Sequence, residues 1–133
     1  MKYPLSFGYI NILADNIAEV IVDEGTVMTL EMCEEYDEFL IEYFTEPFAI
    51  LVNKLHNYSY TFEAKLHIAS LENLKAFAVV TYNKEGVEKT KDIVKIRASD
   101  GWNLKEFSGL QMGRKKAVKW LEKELNTIKV EGL

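Results

Sequence analysis

Apolar and polar residues alternate along the first part of the chain. The segment YINILAD, residues 9–15, alternates, the dipeptide DN closes it, and IAEVIV, residues 17–22, alternates again. A period of two is typical of strands with one buried face, and a short polar pair between two such segments is typical of a turn. This pattern predicts an antiparallel hairpin.

The segment from Leu30 to Phe44 repeats its apolar residues with helical spacing. Thr29 is a suitable N-cap, and Pro47 follows the segment, where it removes a backbone donor and disfavours further helix. Acidic residues lie between the apolar ones, so we predict an amphipathic helix. Its apolar side consists of Met32, Tyr36, Phe39, Leu40 and Tyr43.

Two continuous apolar runs predict central strands. They are FAILV, residues 48–52, and AFAVVTY, residues 76–82. Such runs are typical of strands that are covered on both faces. A shorter alternating segment, WNLKEF at 102–107, predicts one more strand.

Three further helices are predicted between and after these strands. The first is capped by Ser59 or Thr61 and carries Phe62, Leu66 and Ala69. The second follows the turn NKEG and extends over about 88–98. The third covers 114–125, RKKAVKWLEKEL, in which apolar residues repeat every fourth position.

The resulting order is β-β-α-β-α-β-α-β-α, which indicates an α/β fold. Strands that alternate with helices favour parallel pairing through crossover connections. We therefore predict a single-layer mixed sheet, mostly parallel with an antiparallel N-terminal hairpin, of about five strands with about four helices. One domain is expected over 3–128, followed by a short C-terminal tail at 129–133.

Composition indicates a globular protein. The chain has 133 residues, of which 48% are hydrophobic and 28% charged, and it has one cysteine, Cys33. A single cysteine excludes an intramolecular disulfide framework and suits a reducing compartment. We find no apolar run of membrane-spanning length and no signal peptide, so we predict a cytoplasmic protein without membrane insertion.

Charge is unevenly distributed along the chain. Residues 1–46 contain eleven acidic residues and one basic residue, Lys2, whereas basic residues predominate in the remainder. An acidic first helix argues against nucleic-acid binding. It predicts either a solvated helix face or a surface for a protein partner or for self-association.

The element order and several segments of the sequence resemble those of the STAS family, in particular its bacterial SpoIIAA-like (STAS/SEC14) branch. The resemblance extends from SFGYINILADNIAEVIVDEG to RKKAVKWLEKEL. AFAVVTYN is similar to the fourth strand of that branch, and WNLKEF followed by AVKWLEKE is similar to its last strand and helix. The resemblance implies a non-enzymatic regulatory or protein-interaction module.

In the regulatory STAS domains, a Ser or Thr at the start of the helix after the third strand is phosphorylated. It usually lies in an Asp-Ser-Ser/Thr-Gly sequence. Here HNYSYTFEA places Ser59 and Thr61 at that position as candidate phosphoacceptors, but it lacks the preceding Asp and the following Gly. The expectation is a STAS-like module without the usual phosphoacceptor switch.

The alternative function is binding of a small apolar or phosphorylated ligand at the C-terminal rim of the sheet. Loops that follow parallel strands form crevices, and a helix N-terminus favours anions. The SEC14 part of the family name implies an apolar pocket. The predicted rim for a ligand or partner consists of Asn53, Lys54, His56, Tyr58, Ser59, Tyr60 and Thr61.

Catalytic and metal-binding patterns are not apparent in the sequence. His67 and Glu63 have the i,i+4 spacing of paired ligands on a helix, but no third ligand lies at a metal-like spacing. No nucleophile elbow, glycine-rich phosphate loop or zinc-protease motif occurs. We predict no enzyme activity, no metal and no cofactor.

Overall fold

The computed structural model describes residues 1–131, which form eight strands and four α-helices. The strands are β1 (Lys2–Leu5), β2 (Gly8–Ala14), β3 (Ile17–Val22), β4 (Val27–Met28), β5 (Phe48–Asn53), β6 (Ser59–Tyr60), β7 (Leu74–Thr81) and β8 (Leu104–Ser108). The helices are α1 (Leu30–Tyr43), α2 (Phe62–His67), α3 (Lys84–Ile96) and α4 (Gly113–Glu131).

Six of the strands form one mixed sheet in the order β1-β2-β3-β5-β7-β8. The pairs β1–β2 and β2–β3 are antiparallel, and β3, β5, β7 and β8 are parallel. The predicted α/β class, the mixed sheet with its antiparallel N-terminal hairpin, and the four helices are confirmed. The parallel half of the sheet follows from the helices that connect its strands.

The sheet contains one strand more than the five predicted. The additional strand, β1, was not predicted from the sequence, and it includes Pro4. Because β1 lies at the edge of the sheet, a proline without an N–H group is tolerated there. The two-residue strands β4 and β6 also pair with each other in a separate small sheet, inside what the sequence presented as loops.

Helix boundaries differ from the predicted ones at three places. The segment NKEG is not a turn, because Asn83 caps α3 by accepting a hydrogen bond from the Gly86 N–H at 2.8 Å. Helix α2 stops at His67, and Ala69 has a left-handed φ of 58°. Helix α4 continues to Glu131, into the predicted tail, of which residues 132–133 lie outside the described residues.

The helices cover the two faces of the sheet differently. α4 packs on one face, where Ala49, Ala76 and Ala78 of the sheet meet Ala117 of the helix. These small side chains let α4 pack directly against the strands. α1, α2 and α3 cover the opposite face, where the side chains are larger. Among these larger residues are Phe7, Phe48, Ile50 and Phe77.

Candidate functional site

An apolar cavity lies between the second face of the sheet and the helices α1–α3. Its volume is about 70 Å³. The inward-pointing residues of the parallel strands form its floor, among them Val20, Val52 and Val79. Tyr36 from α1 and Ile93 from α3 contribute to the opposite wall. The cavity exists on this face because bulky side chains hold the helices away from the sheet.

Four polar side chains reach the wall of this cavity: Tyr36, Lys54, Tyr60 and Thr90. The Thr90 hydroxyl is already engaged, since it donates a hydrogen bond to the Gly86 carbonyl at 2.9 Å. Tyr36 is buried, and burial raises its pKa, with the nearby Asp37 carboxylate acting in the same direction. Tyr36 therefore stays a neutral phenol, and Lys54 is the one basic side chain in the described wall.

Lys54 is buried although it is a lysine, with 6% of its surface exposed. Its Nζ lies 4.8 Å from the ring centroid of Tyr58 and 5.9 Å from that of Tyr60. Among residues 1–128, whose side chains the structure describes, Lys54 forms no ion pair. Burial lowers the pKa of Lys54 to about 8, and the Lys89 ammonium adds to this effect while Glu106 opposes it.

Two tyrosines, Tyr58 and Tyr60, lie next to this ammonium. Tyr60 belongs to β6 of the small sheet and pairs with Met28 of β4, and Tyr58 lies just before β6. The hydroxyl oxygens of Tyr58 and Tyr60 lie 3.5 Å apart, and their rings meet edge to face. Burial raises the pKa of Tyr58 to about 12. The rings are thus neutral and present their electron-rich faces to the lysine.

The residues of the predicted rim do not all lie on the same face of the sheet, and the change of face occurs at the end of β5. Lys54 and Tyr60 line the cavity, and Tyr58 contacts Lys54. Asn53, by contrast, faces α4, and its Nδ2 donates to the Glu19 carboxylate at 2.8 Å. Successive residues of a strand point to opposite faces, so neighbours in the sequence cannot share one site here.

The other three rim residues have local roles. His56 is exposed, with Nδ1 4.0 Å from the Glu24 carboxylate. The Thr61 hydroxyl accepts a hydrogen bond from the Ala64 N–H at 3.2 Å and so caps α2. Ser59, in β6, is half-buried. Of the two predicted N-cap residues, Thr61 and not Ser59 is therefore the N-cap of α2.

A polar cleft of about 230 Å³ adjoins the cavity. Tyr60 and Ile93 line both spaces and separate them. The remaining walls of the cleft are Ser59, Lys65, Glu88, Lys89 and Asp92. Charges of both signs meet in the cleft, since Lys65 Nζ donates to the Asp92 carboxylate at 2.7 Å.

A buried polar network on the opposite face was not predicted from the sequence. The Glu19 carboxylate accepts hydrogen bonds from Arg114 Nε at 2.8 Å and Nη2 at 3.0 Å, and from Asn53 and Asn11. Burial by itself would raise the pKa of Glu19, but these hydrogen bonds outweigh it and hold the pKa below its ordinary value. The acidic residue Glu19 within the otherwise apolar segment IAEVIV is the sequence feature that could have indicated this network.

His67 pairs with a different partner from the one its spacing suggested. Its Nε2 lies 2.9 Å from the Asp37 carboxylate of α1, and no such contact to Glu63 occurs in the described chain. Burial raises the pKa of Asp37, and the His67 ring opposes that effect. Within residues 1–128, no three His, Cys, Asp or Glu side chains are grouped as metal ligands would be.

Among the described residues, no helix is both long and apolar enough to cross a membrane. Comparison of the chain with protein-family models, with curated proteins and with solved structures finds no match. The resemblance to STAS domains therefore stays a prediction from the sequence.

Proposed function

We propose that the protein is a non-catalytic binding module that holds a small, mostly apolar ligand in the cavity between the sheet and α1–α3. The observation that carries this proposal is the cavity itself, about 70 Å³ in volume with walls that are almost entirely apolar. Protein interiors are normally close-packed, and ligand sites are typically apolar spaces with a few placed polar groups.

The opposite face of the sheet supports the proposal by contrast. On that face, the small side chains of Ala49, Ala78 and Ala117 let α4 pack directly against the strands. The same sheet therefore has one face that is filled and one that leaves space. Because an unfilled apolar space costs stability, a ligand that fills it offsets that cost.

A small neutral apolar probe tests this proposal directly, because the cavity has a volume of only about 70 Å³. Xenon under pressure should bind the purified, delipidated protein and shift the methyl NMR signals of the valines in the cavity wall. Val52→Phe places a ring in the cavity and should abolish these shifts, whereas Val118→Phe on α4 should leave them unchanged. Thermal melts of both variants would confirm folding. An absence of xenon-induced shifts in the wild type, or equal shifts in folded Val52→Phe, would contradict the proposal.

A second function, regulation by phosphorylation, is favoured at Ser59 by one observation. Ser59 lies in the polar cleft together with Lys65 and Lys89, where a phosphate on its hydroxyl would compete with the Asp92 carboxylate for Lys65 and with the Tyr58 carbonyl for Lys89. Thr61 is less suited, because its hydroxyl caps α2. Phosphopeptide mapping of the protein from its own host tests this: phosphate on Ser59 supports the function, and an unmodified 54–65 segment argues against it.

A further inference from the structure

The Lys54 ammonium is the one positive charge in the described wall of the cavity, and its side chain is buried without an ion-pair partner among residues 1–128. A buried lysine is normally paired with a carboxylate, because a charge removed from water loses its hydration. Lys54 is 6% exposed, and the faces of two tyrosines are its nearest favourable contacts. Aromatic faces attract a cation but provide no acceptor for its three N–H donors.

Other cationic side chains near the cavity already have hydrogen-bond partners. Arg97 stacks on Trp102 and donates to the carbonyls of Lys65 and Ile68. Lys89 Nζ donates to the Tyr58 carbonyl at 3.0 Å. Lys54 alone, among the described cavity residues, has a positive charge without an anionic or carbonyl partner.

We infer that the cavity binds a small amphipathic monoanion, with its apolar part among the valines and its carboxylate on Lys54 Nζ. This inference rests on the proposed binding function. The cavity wall supplies one positive charge and an apolar surface, which matches a carboxylate with a hydrocarbon or aromatic body. A phosphate dianion would leave one negative charge unpaired in the same surroundings.

A matched pair of ligands separates this inference from the proposed function. Butyrate and butyramide share the propyl chain and the shape of the head group and differ in the charge of that group. We expect butyrate to shift the valine methyl NMR signals of the wild type at roughly ten-fold lower concentration than butyramide at pH 7, since pairing with a buried ammonium is worth at least that ratio.

Substitution of the lysine should remove only the preference for the acid. Lys54→Met should bind butyramide like the wild type and butyrate no better than the amide. Lys119→Met, which removes an exposed lysine on α4, should behave like the wild type. Lys54→Gln serves as a second neutral variant if Lys54→Met does not fold.

The outcomes are distinguishable. If neither compound binds and xenon also causes no shifts, the proposed function fails and this inference fails with it. If xenon and butyramide bind but butyrate has no advantage, the cavity binds ligands and the inference alone is overturned. Retention of the advantage by folded Lys54→Met, or tighter binding of propyl phosphate than of butyrate, would also overturn it.

Discussion

Asn53 and Lys54 are adjacent in the chain and lie on opposite faces of the sheet. Asn53 Nδ2 is 2.8 Å from the Glu19 carboxylate, beneath α4, whereas Lys54 Nζ is 4.8 Å from the ring centroid of Tyr58, beside the apolar cavity. The polar network and the cavity are therefore separated by the thickness of one sheet. Substitutions on the two sides should have different consequences.

Lys54→Met should stabilise the ligand-free protein at pH 7 by about 1–3 kcal/mol, because a buried ammonium without an ion-pair partner is replaced by an apolar chain of similar shape. Loss of the contacts with Tyr58 and Tyr60 limits the gain. Urea unfolding followed by circular dichroism measures the difference. Lys119→Met, at an exposed position, should change stability by less than about 0.5 kcal/mol.

The stabilisation by Lys54→Met should shrink as the pH rises above about 8. The folded-state pKa of Lys54 is about 8, below its ordinary value of 10.5, so between these values the unfolded chain binds the proton and the folded one does not. The wild type consequently gains stability over this interval relative to the variant. Lys89, Glu106, Tyr58 and Tyr60 face the same ammonium and are common to both proteins. A pH-independent difference would contradict a buried charge at Lys54.

Arg114→Met should destabilise the protein by about 1–3 kcal/mol, because it leaves the buried Glu19 carboxylate without its bidentate partner. The half-exposed position of Arg114 lets water compensate part of the loss. The double variant Glu19→Met/Arg114→Met should be more stable than the single one, and Lys115→Met should be neutral. Chemical denaturation tests this order, and a double variant weaker than Arg114→Met would contradict it.

The contribution of Glu19 should disappear in acid. Its folded-state pKa lies below the ordinary value of 4.5, so the stabilisation is present above pH 4.5 and is lost as the pH falls through the folded-state pKa. Comparison of the wild type with Glu19→Gln between pH 6 and pH 2 isolates this effect. The difference in unfolding free energy should narrow toward pH 2, and a constant difference would argue against an ionised Glu19.

Enlargement of two neighbouring residues of β7 should have opposite results. Ala78→Val adds methyl groups where α4 rests on the sheet and should cost about 1–3 kcal/mol. Val79→Ile adds a methyl group to the cavity wall and should be neutral or stabilising, with weaker xenon binding. Equal destabilisation by the two substitutions would mean that the two faces are equally filled.

Thr61→Ala should cost about 1 kcal/mol, because the hydroxyl that caps α2 is removed. Ser59→Ala, two residues earlier in β6, should change stability by less than about 0.5 kcal/mol, since Ser59 caps no helix. Thermal unfolding of the two variants beside the wild type measures the difference. A larger loss for Ser59→Ala would reverse the assignment of the cap.

The sequence alone determined the fold class, because its signals are local. Alternation over residues 8–22 specifies the hairpin, and the continuous apolar runs around Ile50 and Ala78 specify strands covered on both faces. Thr29 and Thr61 marked helix starts through the preference for a hydroxyl at the N-cap. A strand that depends on its neighbour, such as β1 with Pro4, has no comparable local signal.

The candidate site was decided only by the tertiary structure. The sequence singled out the segment from Asn53 to Thr61, but it could not tell which of these residues face the same space. That depends on which helix covers each face of the sheet, and this is set by the alanines of β5, β7 and α4. The close packing of α4 leaves the cavity on the other face, where Lys54 lines the wall and forms no ion pair among residues 1–128.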